Sequence, residues 1–192
     1  MRIYDISQEV FGCNVFPGDP SPEREVMMRI SDGAVCNLTA FRMCAHNGTH
    51  VDAPYHFINS GDTIDKVPLD KFVGEAYVAE HSGDISASDI TSILSSAGKA
   101  KMILVKGPAT LTSEAAAVLS SSGVVLFGNE SQTVGPEDAP AEVHHILLEA
   151  SVVLLEGIRL SSVPVGNYLL CAAPLNLGGS DGAPCRAVLM KI

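Results

Sequence analysis

The sequence predicts an α/β fold of mixed layers, and three observations carry that prediction. Short apolar runs of strand length alternate with amphipathic stretches that carry helix caps, from Gly74 to Phe127. Apolar residues make up 46% of the 192 residues and charged residues 18%, a balance that lets the chain bury a core without disulfides. No internal repeat, linker or low-complexity stretch interrupts it beyond the serines at Ser95-Ser96 and Ser120 to Ser122, so one domain is expected over residues 1–192.

Arg2 to Ser7 reads as the first strand. Gly12, Pro17, Gly18, Asp19, Pro20 and Pro22 follow at a density that forbids a helix and leaves an irregular arm. Val35 to Cys44 alternates roughly between polar and apolar residues, the period of a strand, and runs straight into a histidine cluster. After the cluster, Gly74 to Glu80 is a further strand. Ser86 then opens a helix as N-cap, with Asp89 in its first turn, Ile90, Ile93 and Leu94 on one face, and Gly98 as its stop. The apolar run Met102 to Val105, a helix capped near Thr112 and stopped at Gly123, and the buried run Val124 to Phe127 complete a β-α-β-α-β succession. Such alternation places functional groups on loops at strand ends. Val152 to Leu155 and Tyr168 to Ala172 add later strands.

Twelve basic residues against 22 acidic ones give a formal charge of −10, which repels a phosphate backbone or an anionic lipid surface, so neither nucleic acid nor membrane is expected as a partner. No apolar run approaches the roughly 20 residues that span a bilayer, and Met1 to Asp5 lacks the apolar core of a signal peptide, so the chain is expected in the cytoplasm. Its five cysteines, Cys13, Cys36, Cys44, Cys171 and Cys185, are odd in number and scattered, with no C-x-x-C pair, and read as buried free thiols. Cys44 lies two residues from His46 and could serve as a nucleophile, but small apolar packing is the simpler reading.

The most informative stretch is His46-Asn47-Gly48-Thr49-His50-Val51-Asp52-Ala53-Pro54-Tyr55-His56. It gathers three of the six histidines and an aspartate, the side chains that bind zinc or manganese at neutral pH. Gly48 and Pro54 disfavour a helix, so a strand leading into a tight loop is expected, with His50 and Asp52 projecting to one side. Both can then reach one metal.

His46-x-Gly48-Thr49-His50-x-Asp52-Ala53-Pro54-x-His56 resembles the signature of the cyclase-like metal-dependent hydrolases, the family that includes bacterial kynurenine formamidases and isatin hydrolases. The likeness extends to Asp5-Ile6-Ser7, Phe16-Pro17-Gly18-Asp19-Pro20 and Asp181-Gly182-Ala183-Pro184-Cys185-Arg186-Ala187. It implies a single-domain fold of the swivelling β/β/α type and two divalent metal ions per subunit, zinc or alternatively manganese. His46, His50 and Asp52 would hold the first ion, and Asp52, by bridging, would begin the shell of the second. Relatives complete that shell with a histidine and a glutamate twelve residues apart, a spacing that His144 and Glu156 have here. Glu156 ends an apolar strand, where a carboxylate is costly unless paired or ligating. His145, Glu149 and His81 show no such positional logic and read as solvated groups. His56 is expected as the catalytic acid/base, the role of its counterpart in the family, and a fourth-ligand role stays open.

The resemblance further implies hydrolysis, through a metal-activated water, of an N-formyl arylamine such as N-formylkynurenine, a reaction of tryptophan catabolism. Hydrolysis of another amide, such as an isatin-like lactam, and a non-catalytic metal-binding role are the alternatives. The chain contains no tryptophan and aromatic residues total 5%, so Phe11, Phe16, Tyr55 and Phe57 are the candidates for stacking against an aryl substrate. Gly128-Asn129-Glu130-Ser131-Gln132-Thr133 lacks the aspartate- and serine-bearing pattern expected of relatives at that loop. A homodimer or homotetramer is expected, since subunits of relatives complete each other's pockets.

Overall fold

A computed structural model describes residues 1–191. Its strands begin with Arg2–Asp5 (β1), Glu23–Met28 (β2), Leu38–Arg42 (β3), His50–Asp52 (β4), Val73–Glu80 (β5) and Gly83–Ile85 (β6). Helix Ala87–Ala97 (α1) leads to Met102–Lys106 (β7) and Ala109–Leu111 (β8), and helix Ser113–Ser121 (α2) to Leu126–Asn129 (β9). Helix Ala141–Glu149 (α3) precedes Val153–Glu156 (β10), Gly166–Cys171 (β11), Gly182–Pro184 (β12) and Val188–Lys191 (β13).

Nine strands form one sheet in the order β1-β13-β11-β5-β7-β9-β10-β4-β12. Its centre, β5-β7-β9-β10, is parallel, with α1, α2 and α3 in the crossovers, and the strands on both flanks are antiparallel. The central strands are apolar on both faces, as a sheet covered on both sides requires. Met102, Leu104, Leu126, Val153 and Leu155 enter one core with Val51, Phe72 and Leu170. Ile103, Val105, Phe127 and Leu154 enter the other, against Ile90, Leu119 and Leu147 of the helices. This two-sided core agrees with the mixed α/β layers read from the alternation.

Ser86 caps α1 with a reciprocal box, its backbone N–H donating to the Asp89 carboxylate at 2.9 Å, and Thr112 caps α2. Boundaries elsewhere shift: the strand expected at Val124 starts at Leu126, after Val125 N–H bonds the Lys101 carbonyl at 2.8 Å. Two expectations need correction. Val35 to Cys44 does not feed a sheet strand into the histidines: β3 pairs only with β2, in a separate two-stranded ribbon whose every residue is exposed. Nor are the thiols uniformly buried, because Cys36 lies exposed on that ribbon's connection and the other four are half-buried. The arm before the ribbon also holds one 3-10 turn, Val10–Gly12, whose amides bond the Glu9 carboxylate.

Candidate metal centre

The site is assembled by register. β4 lies between β10 and β12, with Asp52 opposite Leu154 and His50 opposite Glu156. Val51 and Leu155 point into the sheet's first core, so the alternating residues His50, Asp52 and Glu156 all face the helices. From that side α3 lowers His144 onto them; all four side chains are buried, Asp52 being only 1% exposed. His46 arrives from the turn before β4, and His56 from the 3-10 turn Pro54–His56 that follows it. Close approach requires glycine at two points. Gly48 turns the chain at φ +65°, and a Cβ at Gly182 on β12 would come within 2.8 Å of the His46 ring.

His50 donates its Nδ1–H to the Gly48 carbonyl at 3.0 Å, and His144 donates its Nδ1–H to the Pro140 carbonyl at 2.8 Å. These two bonds leave each Nε2 as the ring atom that faces the carboxylates, protonated toward them in the metal-free protein and available as a lone pair once a metal displaces that proton. His50 Nε2 stands 3.3 Å from Glu156 and 3.5 Å from Asp52, while His144 Nε2 stands 3.2 Å from Glu156 and 3.6 Å from Asp52. The Gly48 carbonyl is itself held by Gln132 Nε2 at 3.0 Å, and Gln132 Oε1 accepts from Gln8 at 2.8 Å. On the open side, His46 Nδ1 meets Asp52 Oδ1 at 2.8 Å. Its Nε2 meets Asp181 Oδ2 at 2.8 Å, and His56 Nδ1 reaches the same oxygen at 3.1 Å. The His46 and His56 rings stack with centroids 4.0 Å apart.

Charge fields follow from this packing. Burial alone would lower the His46 pKa, but its bonds to Asp181 and Asp52 outweigh that and raise it to about 11. Burial likewise opposes the charged forms of His50 and His144, and their bonds to Glu156, with the field of Asp52, push both upward instead. Asp52 is driven below the usual carboxylate range, because the His46 bond and the surrounding imidazoles exceed its own desolvation. Asp181 is also lowered, first by its bonds to His46 and His56.

Among the described residues two groups of side chains could each hold a metal ion: His46, Asp52 and His56, and His50, Asp52 and Glu156, the ligand atoms within each lying within 4.8 Å of one another. Asp52 is common to both, as the expected bridge would be, although His56 rather than His50 is the neighbour of His46 in the first. Asp52 Oδ2 is buried with no hydrogen-bond partner among the described residues. A buried carboxylate oxygen left unpaired is costly and suits a cation in its place. Donors sharing one ion at about 2.0–2.2 Å in tetrahedral geometry lie about 3.3–3.5 Å apart, close to the spacing of the His50, Asp52, Glu156 and His144 atoms. The residues therefore fit divalent metals. In the sequence Asp181 stands out only as the head of the motif Asp181-Gly182-Ala183-Pro184, which does not reveal its contact with His46 and His56.

The family model described as "Putative cyclase" matches residues 4–136, most of the chain and all of the histidine segment. The chain belongs to the cyclase family. A kynurenine formamidase from Salinibacter ruber is 34% identical to it over 98% of this chain and 97% of that protein. Among solved structures, a "predicted metal-dependent hydrolase" from Bacillus stearothermophilus is 26% identical, covers 98% of this chain and 97% of its own, and has a TM-score of 0.81. Isatin hydrolase A from Labrenzia aggregata, 21% identical over 98% of this chain and 93% of its own, shares the fold with a TM-score of 0.85.

Around this cyclase-family centre the candidate aromatic residues separate. Tyr55 and Phe57 line a shallow cavity of about 410 Å³ with His56, Asn59, Ser180 and Asp181. Phe57 is wedged against His144 and His56, with centroid distances of 4.6 and 4.7 Å. Phe16 lines a different cavity of about 370 Å³ with Gln132 and Thr133, and Phe11 packs on Phe41 of the ribbon. His145 and Glu149 are exposed on α3, and His81 bonds the Asp84 carbonyl, all outside the cluster. Cys44 is turned to Asp19, its Sγ 3.7 Å from that carboxylate.

Proposed function

We propose that this chain is an arylformamidase that hydrolyses N-formylkynurenine or a similar N-formyl arylamine. The class of chemistry is metal-dependent amide hydrolysis, acting on a C–N bond other than a peptide bond, and the formamidase name recurs among relatives that match along nearly their whole length. The observation that carries the reading is the pair of buried imidazoles, His50 and His144, whose Nδ1–H groups are committed to backbone carbonyls so that both Nε2 atoms face the Asp52 and Glu156 carboxylates.

In this reading His46, His50, Asp52, His144 and Glu156 would hold two divalent ions, zinc in preference to manganese. Bound there, such ions polarise a carbonyl and lower the pKa of water towards about 7. His56 stands outside the buried ligands, beside the cavity that Tyr55 and Phe57 line, and the aryl group packs there. It takes the proton released as water adds to the formyl carbon and returns it to the arylamine nitrogen as the C–N bond breaks and formate leaves.

The β2–β3 ribbon supports a homodimer or homotetramer. A lone two-stranded hairpin is marginal in water, yet Val26, Met28, Leu38 and Phe41 are all exposed on this one. Five free cysteines suit a reducing compartment, hence the cytoplasm, and no helix among the described residues is long and apolar enough to cross a membrane.

Purified protein tests the reading directly. N-formylkynurenine turnover should be lost to a chelator and restored by Zn²⁺ or Mn²⁺. Bound metal with no turnover would retain the site and move the substrate to other amides and lactams.

A further inference from the structure

All four imidazoles of the centre have at least one ring nitrogen held by a protein acceptor. For His50 and His144 the partner is a backbone carbonyl; for His46 and His56 it is one carboxylate oxygen, Asp181 Oδ2, accepting from His46 Nε2 at 2.8 Å and from His56 Nδ1 at 3.1 Å. The Asp181 backbone is pinned to the site strand, since Ala53 N–H donates to its carbonyl at 2.9 Å, and Ser180 Oγ–H bonds the Gly182 carbonyl at 2.8 Å. Asp181 therefore holds both rings from a fixed point, in a stack 4.0 Å between centroids.

From this geometry we propose that Asp181 is a positioning residue: it fixes the orientation of His46 and of His56 together, and the tautomer of His56. The bond to Nε2 leaves His46 with Nδ1 turned to Asp52, where it stands 2.8 Å from Oδ1. The bond to Nδ1 leaves His56 with Nε2 as its proton-exchanging atom and places a negative charge behind the ring as it becomes positive. A single carboxylate thus couples ion binding to proton transfer. The inference rests on the proposed metal-dependent reading for the consequence, but the tautomer assignment stands apart from it.

The test compares wild type, Asp181→Ala and the near-isosteric Asp181→Asn, with folding checked by circular dichroism. In chelator-stripped protein, ¹⁵N shifts of the imidazoles should report His56 as the Nδ1–H tautomer in wild type and a loss of that preference in Asp181→Ala. In zinc-reconstituted protein, competition with a chromophoric chelator should show about 10–100-fold weaker zinc binding in Asp181→Ala. Its kcat on N-formylkynurenine should fall with KM little changed. Asn keeps one acceptor oxygen without the charge, so it should recover zinc affinity more than kcat. An unchanged His56 tautomer in Asp181→Ala, or unchanged zinc affinity together with unchanged kcat, overturns the inference. Wild-type protein that takes up no zinc sinks the functional reading instead, and the ¹⁵N comparison still decides the positioning role.

Discussion

The surroundings of β4 and the β2–β3 ribbon depart from the usual partition of side chains in opposite directions. Around β4, four ionisable side chains, His50, Asp52, His144 and Glu156, are buried; along the ribbon, Val26, Met28, Leu38 and Phe41 are exposed. Burying a charge costs several kcal/mol per ion unless partners compensate. In the first region the compensation is visible: carbonyls fix the imidazoles, and Val134 N–H donates to Glu156 Oε1 at 2.8 Å. Even so, Asp52 Oδ2 receives no hydrogen bond among the described residues, with His144 Nε2 3.6 Å away. In the second region the surplus is apolar and faces water. Each excess points to what completes it, a cation in one case and a second copy of the chain in the other.

The largest effects should come from breaking the buried side. Replacing Asp52 by Asn or His50 by Ala should abolish metal uptake and turnover, read by elemental analysis and N-formylkynurenine assay; full metal content in either variant would contradict the assignment. Replacing His56 by Ala should lower turnover about 10²–10⁴-fold with metal content intact. Loss of metal in that variant would make His56 a ligand, the alternative that its closeness to His46 and Asp52 keeps physical. On the exposed side, Phe41→Asp with Val26→Asp should convert an oligomer to monomer in size-exclusion chromatography with light scattering, while a wild type already monomeric at micromolar concentration would end the comparison.

Smaller effects sharpen it. Gln132→Ala removes the donor that steadies the Gly48 carbonyl and, through it, His50, and should weaken metal binding toward the lower end of about 10–100-fold. The pH response has a definite sign. In chelator-stripped protein the raised pKa values of His46, His50 and His144 contribute stability that is fully present below about 6.5 and is lost as pH rises toward the folded values, about 11 for His46. The lowered Asp52 value contributes stability present above about 3.8 and lost as pH falls below it. Metal must displace those protons, so the gain in Tm on adding zinc should grow with pH between about 5.5 and 8. A gain that is flat or falls over that range would contradict the ligand set.

Much of this centre was legible because its strand is short and dense. His46, His50, Asp52 and His56 lie within eleven residues, and period-two alternation on β4 was enough to put His50 and Asp52 on one side. His144 and Glu156 were legible through the resemblance and through the cost of a carboxylate ending an apolar strand, not through their local elements. α3 carries no cap signal, since its N-cap is Pro140, which offers no side-chain acceptor. β2 went unread because Glu23-Arg24-Glu25-Val26-Met27-Met28 does not alternate and carries a register shift between Val26 and Met28. Asp181 joins the site only through β12, a three-residue strand ending in proline that no periodicity announces.

Anomalous diffraction at the zinc edge, from crystals of reconstituted protein, tests the central claim most directly. The account predicts peaks within about 2.0–2.2 Å of Asp52 carboxylate oxygens, with His50 Nε2 and His144 Nε2 among the neighbouring ligands. Zinc-loaded crystals with no peak at Asp52 would contradict it.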